Sequence, residues 1–244
     1  MNADTPLSFT RLVKRYGTNT VLDELDLVVA PGETLGLVGI NGAGKSTLLK
    51  ALLDLTAIDS GDISIYGGHH RRTAAREPIA YLAEQFQPPY FARGIDYLRF
   101  VARLHRVTVK QVRVEEECAL LELDPAALGQ PVSQYSKGMR QKLGLIGCML
   151  TDRPLLILDE PMSGLDPKAR ALFKARLERA KKAGVTVFFS THLLDDVGRL
   201  CDRIAVLDGG SIRFLGTVEA FAAAHPADGL EASFLACLRG SAAA

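Results

Sequence analysis

Apolar positions along this chain change their spacing twice. Over roughly residues 1–85 they fall in blocks of strand length, at 7–13, 25–29, 34–38, 63–66 and 79–82. Turn-forming residues separate these blocks, with Pro31-Gly32 between the second and third, so each predicts a β-strand. From about 86 to 150 the spacing becomes helical. Tyr97, Phe100, Val101 and Leu104 recur at three and four residues, as one face of a helix does. Cys118, Leu120 and Leu121 extend the pattern until Asp124-Pro125 stops it. Beyond 150 strand and helix alternate: the apolar runs 155–158 and 185–189 flank an amphipathic stretch, 167–182, rich in Ala, Arg and Lys. Short apolar strands separated by helices predict an α/β fold with a parallel sheet buried on both faces. The helical zone would then be a subdomain inserted between two halves of that sheet. Two short helices are expected at 217–224 and 230–238, docked through Phe221, Phe234, Leu235 and Leu238.

Composition narrows the class of protein. With 244 residues, 48% hydrophobic and 23% charged, the chain has the makeup of a globular domain and can bury a sizeable core. A net charge of +1 gives no reason to expect a nucleic-acid partner. Cys118, Cys148, Cys201 and Cys237 form no CxxC pair and sit in apolar or helical contexts, which predicts buried free thiols in a reducing compartment. Residues 1–14 lack the apolar core of a leader peptide. The longest apolar run, 143–150, falls well short of the ~18 residues of a membrane span. A soluble, cytosolic chain is expected, and any membrane work would have to be done through a partner. His69-His70-Arg71-Arg72, with no acidic or Cys-rich neighbours, is expected to be a solvated loop.

Two segments carry chemistry. Gly39-Ile40-Asn41-Gly42-Ala43-Gly44-Lys45-Ser46 has the form GxxxxGK followed by Ser or Thr, with an apolar strand before it and the helical stretch from Thr47 after it. Glycines let successive N–H groups curl around an anion, and the helix N-terminus adds its dipole. Lys45 would reach the β- and γ-phosphates of a nucleotide, and the Ser46 hydroxyl would ligate Mg²⁺. The second segment is the apolar run ending in Asp159-Glu160. A parallel strand delivers its last residues to the ligand crevice, and neighbouring side chains on a strand point opposite ways. One acid is therefore expected to hold Mg²⁺ and the other to polarise an attacking water.

Further motifs fall in order around these two. Ser136-Lys137-Gly138-Met139 opens a helix upstream of the acidic strand, Ser163-Gly164-Leu165-Asp166 follows that strand, Ser190-Thr191-His192 follows the next, and Tyr16 lies in Arg15-Tyr16-Gly17. In order and context they resemble the signature (usually LSGGQ), the D-loop, the switch histidine and the adenine-stacking aromatic of ABC ATPases, over about residues 7–216. The resemblance implies a single ABC ATPase domain spanning 1–244. It would comprise a P-loop NTPase core with a parallel sheet, an N-terminal antiparallel β part, a helical subdomain at about 86–150 and a helical tail at about 217–244. It also implies site roles. ATP and Mg²⁺ would be held by Tyr16, Gly39, Asn41, Gly42, Ala43, Gly44, Lys45, Ser46, Thr47 and Asp159. Glu160 would act as general base, with Lys45 and His192 on the γ-phosphate. Two copies, or this chain and a homologous subunit, would pair head to tail. Ser136 and Gly138 of one would then complete the site of the other, and Asp166 would link the two sites.

Two departures from the family pattern stand out. The signature has Lys137 for its first glycine and Met139 for its glutamine, a form that resembles those of small exporter subunits. The glutamine expected after the strand at 79–82 is replaced by Glu84, in Tyr81-Leu82-Ala83-Glu84-Gln85, with Gln85 the alternative if the loop slips by one residue. A carboxylate there would bind Mg²⁺ more directly than an amide and would face the γ-phosphate unfavourably without the metal. Next come Phe86, Tyr90 and Phe91 around Pro88-Pro89, where the family receives a helix of its membrane subunit. The resemblance thus implies an ATP-hydrolysing subunit of an exporter, peripheral on the cytoplasmic face of the membrane and bound to separate transmembrane permease subunits. An importer subunit, or a non-transport ABC ATPase, is the alternative.

Overall fold

A computed structural model of the chain describes residues 4–241. Among these residues ten strands form two sheets. In the first, β1 (Leu7–Tyr16), β2 (Asn19–Val29), β4 (Ser60–Ile65) and β5 (Gly68–His69) are antiparallel in the order β2-β1-β4-β5. The second contains β3 (Thr34–Val38), β6 (Ile79–Leu82), β7 (Leu155–Asp159), β8 (Thr186–Thr191), β9 (Arg203–Asp208) and β10 (Ser211–Gly216). Its order is β10-β9-β3-β8-β7-β6, parallel except for the edge strand β10. The expected α/β class, with a parallel core and an antiparallel N-terminal part, is what the chain adopts.

Strand alternation divides the core. Leu155, Ile157 and Phe188 face the first sheet and α1 (Lys45–Leu52), where Phe9 meets Phe188 with ring centroids 6.2 Å apart. Leu156, Leu158, Val187 and Phe189 face the opposite way, into a cluster built largely from helices. β3, β7 and β8 are buried at every position, as parallel strands covered on both faces must be.

The short helix α2 (Thr73–Arg76) leads into β6, and between β6 and β7 lie α3 (Gly94–Leu104), α4 (Gln111–Leu120) and α5 (Lys137–Leu150). α3 does not bury the face that its apolar spacing predicts. Gly94, Leu98 and Ala102 are buried, Tyr97 and Val101 are half-buried, and Phe100 and Leu104 are exposed. The helix uses a narrow stripe against α5 and leaves a second apolar ridge outward. α6 (Pro167–Lys182) starts on a cap in which the Asp166 carboxylate accepts from Ala169 N, and it buries Phe173 and Leu177. An Arg176–Glu117 pair, with contacts of 2.6 and 2.7 Å, ties α6 to α4.

α7 (Leu194–Leu200), α8 (Val218–Ala224) and α9 (Leu230–Ser241) pack over β9 through Phe221, Phe234 and Cys237, with Leu238 partly buried. Leu235, expected in that dock, is exposed. The four cysteines are free, three of them buried. The 69–72 segment is not simply solvated. His70 is fully buried with Nδ1 on Ile63 O at 3.3 Å, while His69 reaches Asp62 at 3.3 Å. Among the described residues no helix is long and apolar enough to cross a membrane.

Candidate active site

β3 ends at Val38 and the chain wraps through residues 39–44 into α1. The wrap depends on Gly42 and Gly44, at φ +87° and +109°, a region that side-chain-bearing residues rarely adopt. A Cβ on Gly44 would also stand 2.9 Å from Val21 O. The loop is drawn in by its own lysine: Lys45 Nζ donates to Gly39 O at 2.7 Å and to Ile40 O at 3.3 Å. Ala43 N closes a turn onto Ile40 O, and the Ala43 side chain is buried.

β7 delivers the acids from the neighbouring strand position but one. Asp159 is its last residue. Glu160 leaves the strand in the left-handed region, at φ +45°, and this turn as well as strand alternation sends the two carboxylates apart. Asp159 Oδ1 accepts from Ser190 Oγ at 2.6 Å and lies 3.4 Å from Ser46 Oγ. Ser190 Oγ in turn accepts Glu160 N–H at 2.9 Å. Glu160 Oε2 lies 2.8 Å from His192 Nδ1, and Lys45 Nζ stands 3.3 Å from Oε1. Oε1 is buried and accepts no hydrogen bond, so Lys45 balances its charge while a lone pair stays open.

Lys45, Glu160 and His192 line a cleft of about 410 Å³ with Asn41, Gly42, Gly44, Ser46, Thr47 and Glu84, and Asp159 and Ser190 stand behind that lining. Val21 and Ser163 line it too, although motif reading did not single them out as site residues. Ser190, quoted in the Ser190-Thr191-His192 segment but given no role there, is a third. Its place at a parallel strand's end beside the acids lets its hydroxyl cross-link two strands. Tyr16 stands outside this lining. Its hydroxyl is 3.4 Å from Thr56 Oγ1, and one ring face is covered by Lys14 Nζ at 4.6 Å from the centroid.

The donors suit a small hard cation. Ser46 and Asp159 offer a hydroxyl and a carboxylate side by side, and no cluster of three or more His, Cys, Asp or Glu among the described residues forms an all-protein cage. That is the pattern of Mg²⁺, which takes one or two protein oxygens and completes its shell with phosphate and water. Glu84 is exposed at the same cleft, beside Tyr81. Burial first, then the Asp159 and Glu84 carboxylates, push the Tyr81 phenol up to about 12.

Ser136, Gly138 and Asp166 do not join the cleft of their own chain. Ser136 is exposed and caps α5 by accepting Met139 N–H at 3.2 Å; Asp166 caps α6; Gly138 follows in the first turn of α5. Lys137 lies across Gly164, linking the two segments on this outer face.

Comparison with known proteins agrees with this geometry. Residues 22–163, more than half of the chain, match the family model described as ABC transporter. The daunorubicin resistance ATP-binding protein DrrA3 of Streptomyces coeruleorubidus is 36% identical over 220 residues, covering 89% of this chain and 70% of its own. The Nod factor export ATP-binding protein I of Rhizobium etli is 36% identical over 212 residues, covering 84% of this chain and 66% of its own. A solved structure described as the ATP-binding subunit of an ABC transporter superposes with a TM-score of 0.86 at 29% identity, over 96% of this chain and 99% of that one. The chain belongs to the ABC transporter family, as an ATP-binding subunit with the ATP-hydrolysing fold of that class.

Proposed function

We propose that this chain hydrolyses Mg²⁺-ATP to drive export through separate membrane subunits. The observation that carries the chemistry is the Lys45–Glu160–His192 array at the end of the glycine loop. Lys45 would leave its loop carbonyls for the β- and γ-phosphates. Bound Mg²⁺ would neutralise phosphate charge, held by Ser46 and Asp159 with Glu84 as a further oxygen donor. Glu160, buried with an open lone pair, takes the proton of the attacking water, and His192 holds the carboxylate in place and faces the γ-phosphate. Tyr16 offers its uncovered ring face to adenine.

Two copies, or this chain and a homologous subunit, pair head to tail. Ser136 and the N–H of Gly138 then reach the partner's nucleotide, and Asp166 lies where the two sites meet. The outward position of these residues in a single chain supports this reading. The membrane subunits dock on an apolar rim made by Tyr90 and Phe91 and by the ridge Phe100 and Leu104, all exposed. Phe86, expected on that surface, packs inward instead against Tyr97, with ring centroids 5.3 Å apart. The export direction follows the relatives, which are named for daunorubicin resistance and Nod factor export. The chain would therefore work at the cytoplasmic face of the membrane, without a nucleic-acid partner.

The test is capture of a Glu160→Gln form from detergent-solubilised membranes of its host, with the co-purifying proteins identified. A multi-span membrane protein without a solute-binding protein is the expected result. Recovery of the chain only from the soluble fraction, or with ribosomes, would overturn the transport reading.

A further inference from the structure

Two of the positions where this chain departs from its family's pattern, Glu84 and Lys137, carry opposite charges and line one cavity. That cavity, of about 270 Å³, lies between the 84–87 loop, which begins with Glu84, and the first turns of α5, which supply Lys137, Arg140 and Gln141. Its walls are held in register. α5 crosses under the loop at Gly144, where a Cβ would stand 2.5 Å from Leu82 Cδ1 and 3.0 Å from Phe86 Cδ1. Gln141 is buried and donates Nε2–H to Pro161 O at 3.3 Å, tying the same helix face to the segment just past Glu160. The Lys137 stem rests on Gly164: a Cβ there would lie 3.1 Å from Cε and 3.4 Å from Cδ. Arg140 is engaged elsewhere, donating to Tyr135 O at 2.6 Å. Among the described residues neither Glu84 nor Lys137 has an opposite charge within ion-pair distance. The Glu84 carboxylate thus shares the cavity with two cations, of which Arg140 is fixed by a backbone carbonyl and Lys137 is not, and Glu84 also lines the nucleotide cleft.

We propose that Lys137 is a positioning residue for Glu84. Without nucleotide, Lys137 attracts the Glu84 carboxylate toward α5. With ATP present, Mg²⁺ competes for the same carboxylate from the cleft side. A carboxylate alone at this place would repel the γ-phosphate, and the lysine offsets that charge. Because Lys137 also rests on the Gly164 segment, arrival of the metal is communicated to the outer face that carries Ser136 and Asp166. The proposal rests on Glu84 being the metal-side carboxylate.

The test is a double-mutant cycle with Glu84→Gln, Lys137→Gln and both together. Binding of Mn²⁺ in the presence of a non-hydrolysable ATP analogue is read by electron paramagnetic resonance. Affinity for a fluorescent ATP analogue without metal and the thermal midpoint of the nucleotide-free protein at low salt are read alongside. Lys137→Gln should tighten Mn²⁺ binding about two- to fivefold, the scale of an exposed charge pair, and should do nothing when Glu84 is already Gln. The midpoints at low salt should likewise be non-additive, and the coupling should fade in high salt. Equal effects of Lys137→Gln in both backgrounds overturn the proposal. Unchanged Mn²⁺ binding in Glu84→Gln refutes the metal reading itself. The nucleotide-free midpoints then decide the pairing, and additivity there overturns it too.

Discussion

His192 Nδ1 and Glu160 Oε2 stand 2.8 Å apart, while the other oxygen of the same carboxylate is buried with no hydrogen bond. Glu160 is thus oriented from one side, and its other oxygen, beside Lys45 Nζ at 3.3 Å, would be free to act as a base once that ammonium moves to a phosphate. Replacing it with Gln keeps the shape and removes the basicity. Glu160→Gln should lower ATP hydrolysis by about 10²- to 10⁴-fold, the usual worth of a positioned base. Binding of a fluorescent ATP analogue should change only a few fold. Phosphate release and an equilibrium titration measure the two, and an equal loss in both would assign Glu160 to binding instead.

Ser190 makes a prediction of its own. Its hydroxyl donates to Asp159 at 2.6 Å and accepts from Glu160 N–H at 2.9 Å, and the residue is fully buried. Ser190→Ala leaves both partners short of a bond in a place that water does not reach. Stability should fall by about 1–3 kcal/mol, measured by urea unfolding. A change within about 0.5 kcal/mol would mean that the acids are held by other contacts.

The Arg176–Glu117 pair is the charged tie between α6 and α4. Both side chains are largely buried, at 12% and 8% exposure, and the contact is bidentate. Arg176→Met retains packing volume but strands the Glu117 charge, so about 3 kcal/mol of stability should be lost. Adding Glu117→Gln removes the stranded charge and should restore much of that loss in the same denaturation assay.

How much of this was legible in the sequence depends on what each position answers to. The framework was: the glycine loop and the apolar strands were readable because φ requirements and two-sided burial leave few alternative residue types. The outward ridge of α3 was not. Phe100 and Leu104 keep helical spacing with Tyr97 and Val101, yet periodicity cannot tell a face that meets the core from one left for another surface. Phe86 failed the same way, since its burial depends on Gly144 of α5, far along the chain. β9 and β10 lay outside the predicted strands, and they become sheet only through pairing with β3 and with each other. Buried His70 was hidden because a basic run marks a solvated loop unless the fold turns one ring inward.

The thiols carry a pH prediction. Burial first, then the neighbouring Glu117 and Glu115 carboxylates, push Cys118 up to about 11, and burial pushes Cys148 up to about 12. Both exceed the ordinary thiol value of about 8.5, so the folded chain keeps protons that the unfolded chain releases. This contribution to stability is complete below about pH 8.5 and is lost as pH rises toward the folded values. Iodoacetamide at pH 8.5 should label these two cysteines slowly in the folded protein and quickly in urea, as read by mass spectrometry. Equal rates in both states would contradict their burial.

Phe86 and Phe91 lie five positions apart and should respond in opposite ways. Phe91 is 90% exposed, so Phe91→Ala removes little that folding buries, and unfolding free energy should stay within about 0.5 kcal/mol. If the rim of Tyr90, Phe91, Phe100 and Leu104 receives a membrane subunit, the same change should cut recovery of that subunit in the capture experiment. The effect should deepen when Phe100→Ala is added, because the proposed dock then loses both exposed phenylalanine rings. Phe86 packs on Tyr97 and against Gly144, so Phe86→Ala opens a cavity between the 84–87 loop and α5. It should cost about 2–3 kcal/mol, below the range for a fully buried Phe because the ring is only partly covered. Stability loss from Phe91→Ala, or unchanged capture with Phe91 and Phe100 both replaced, would remove the docking assignment from this rim.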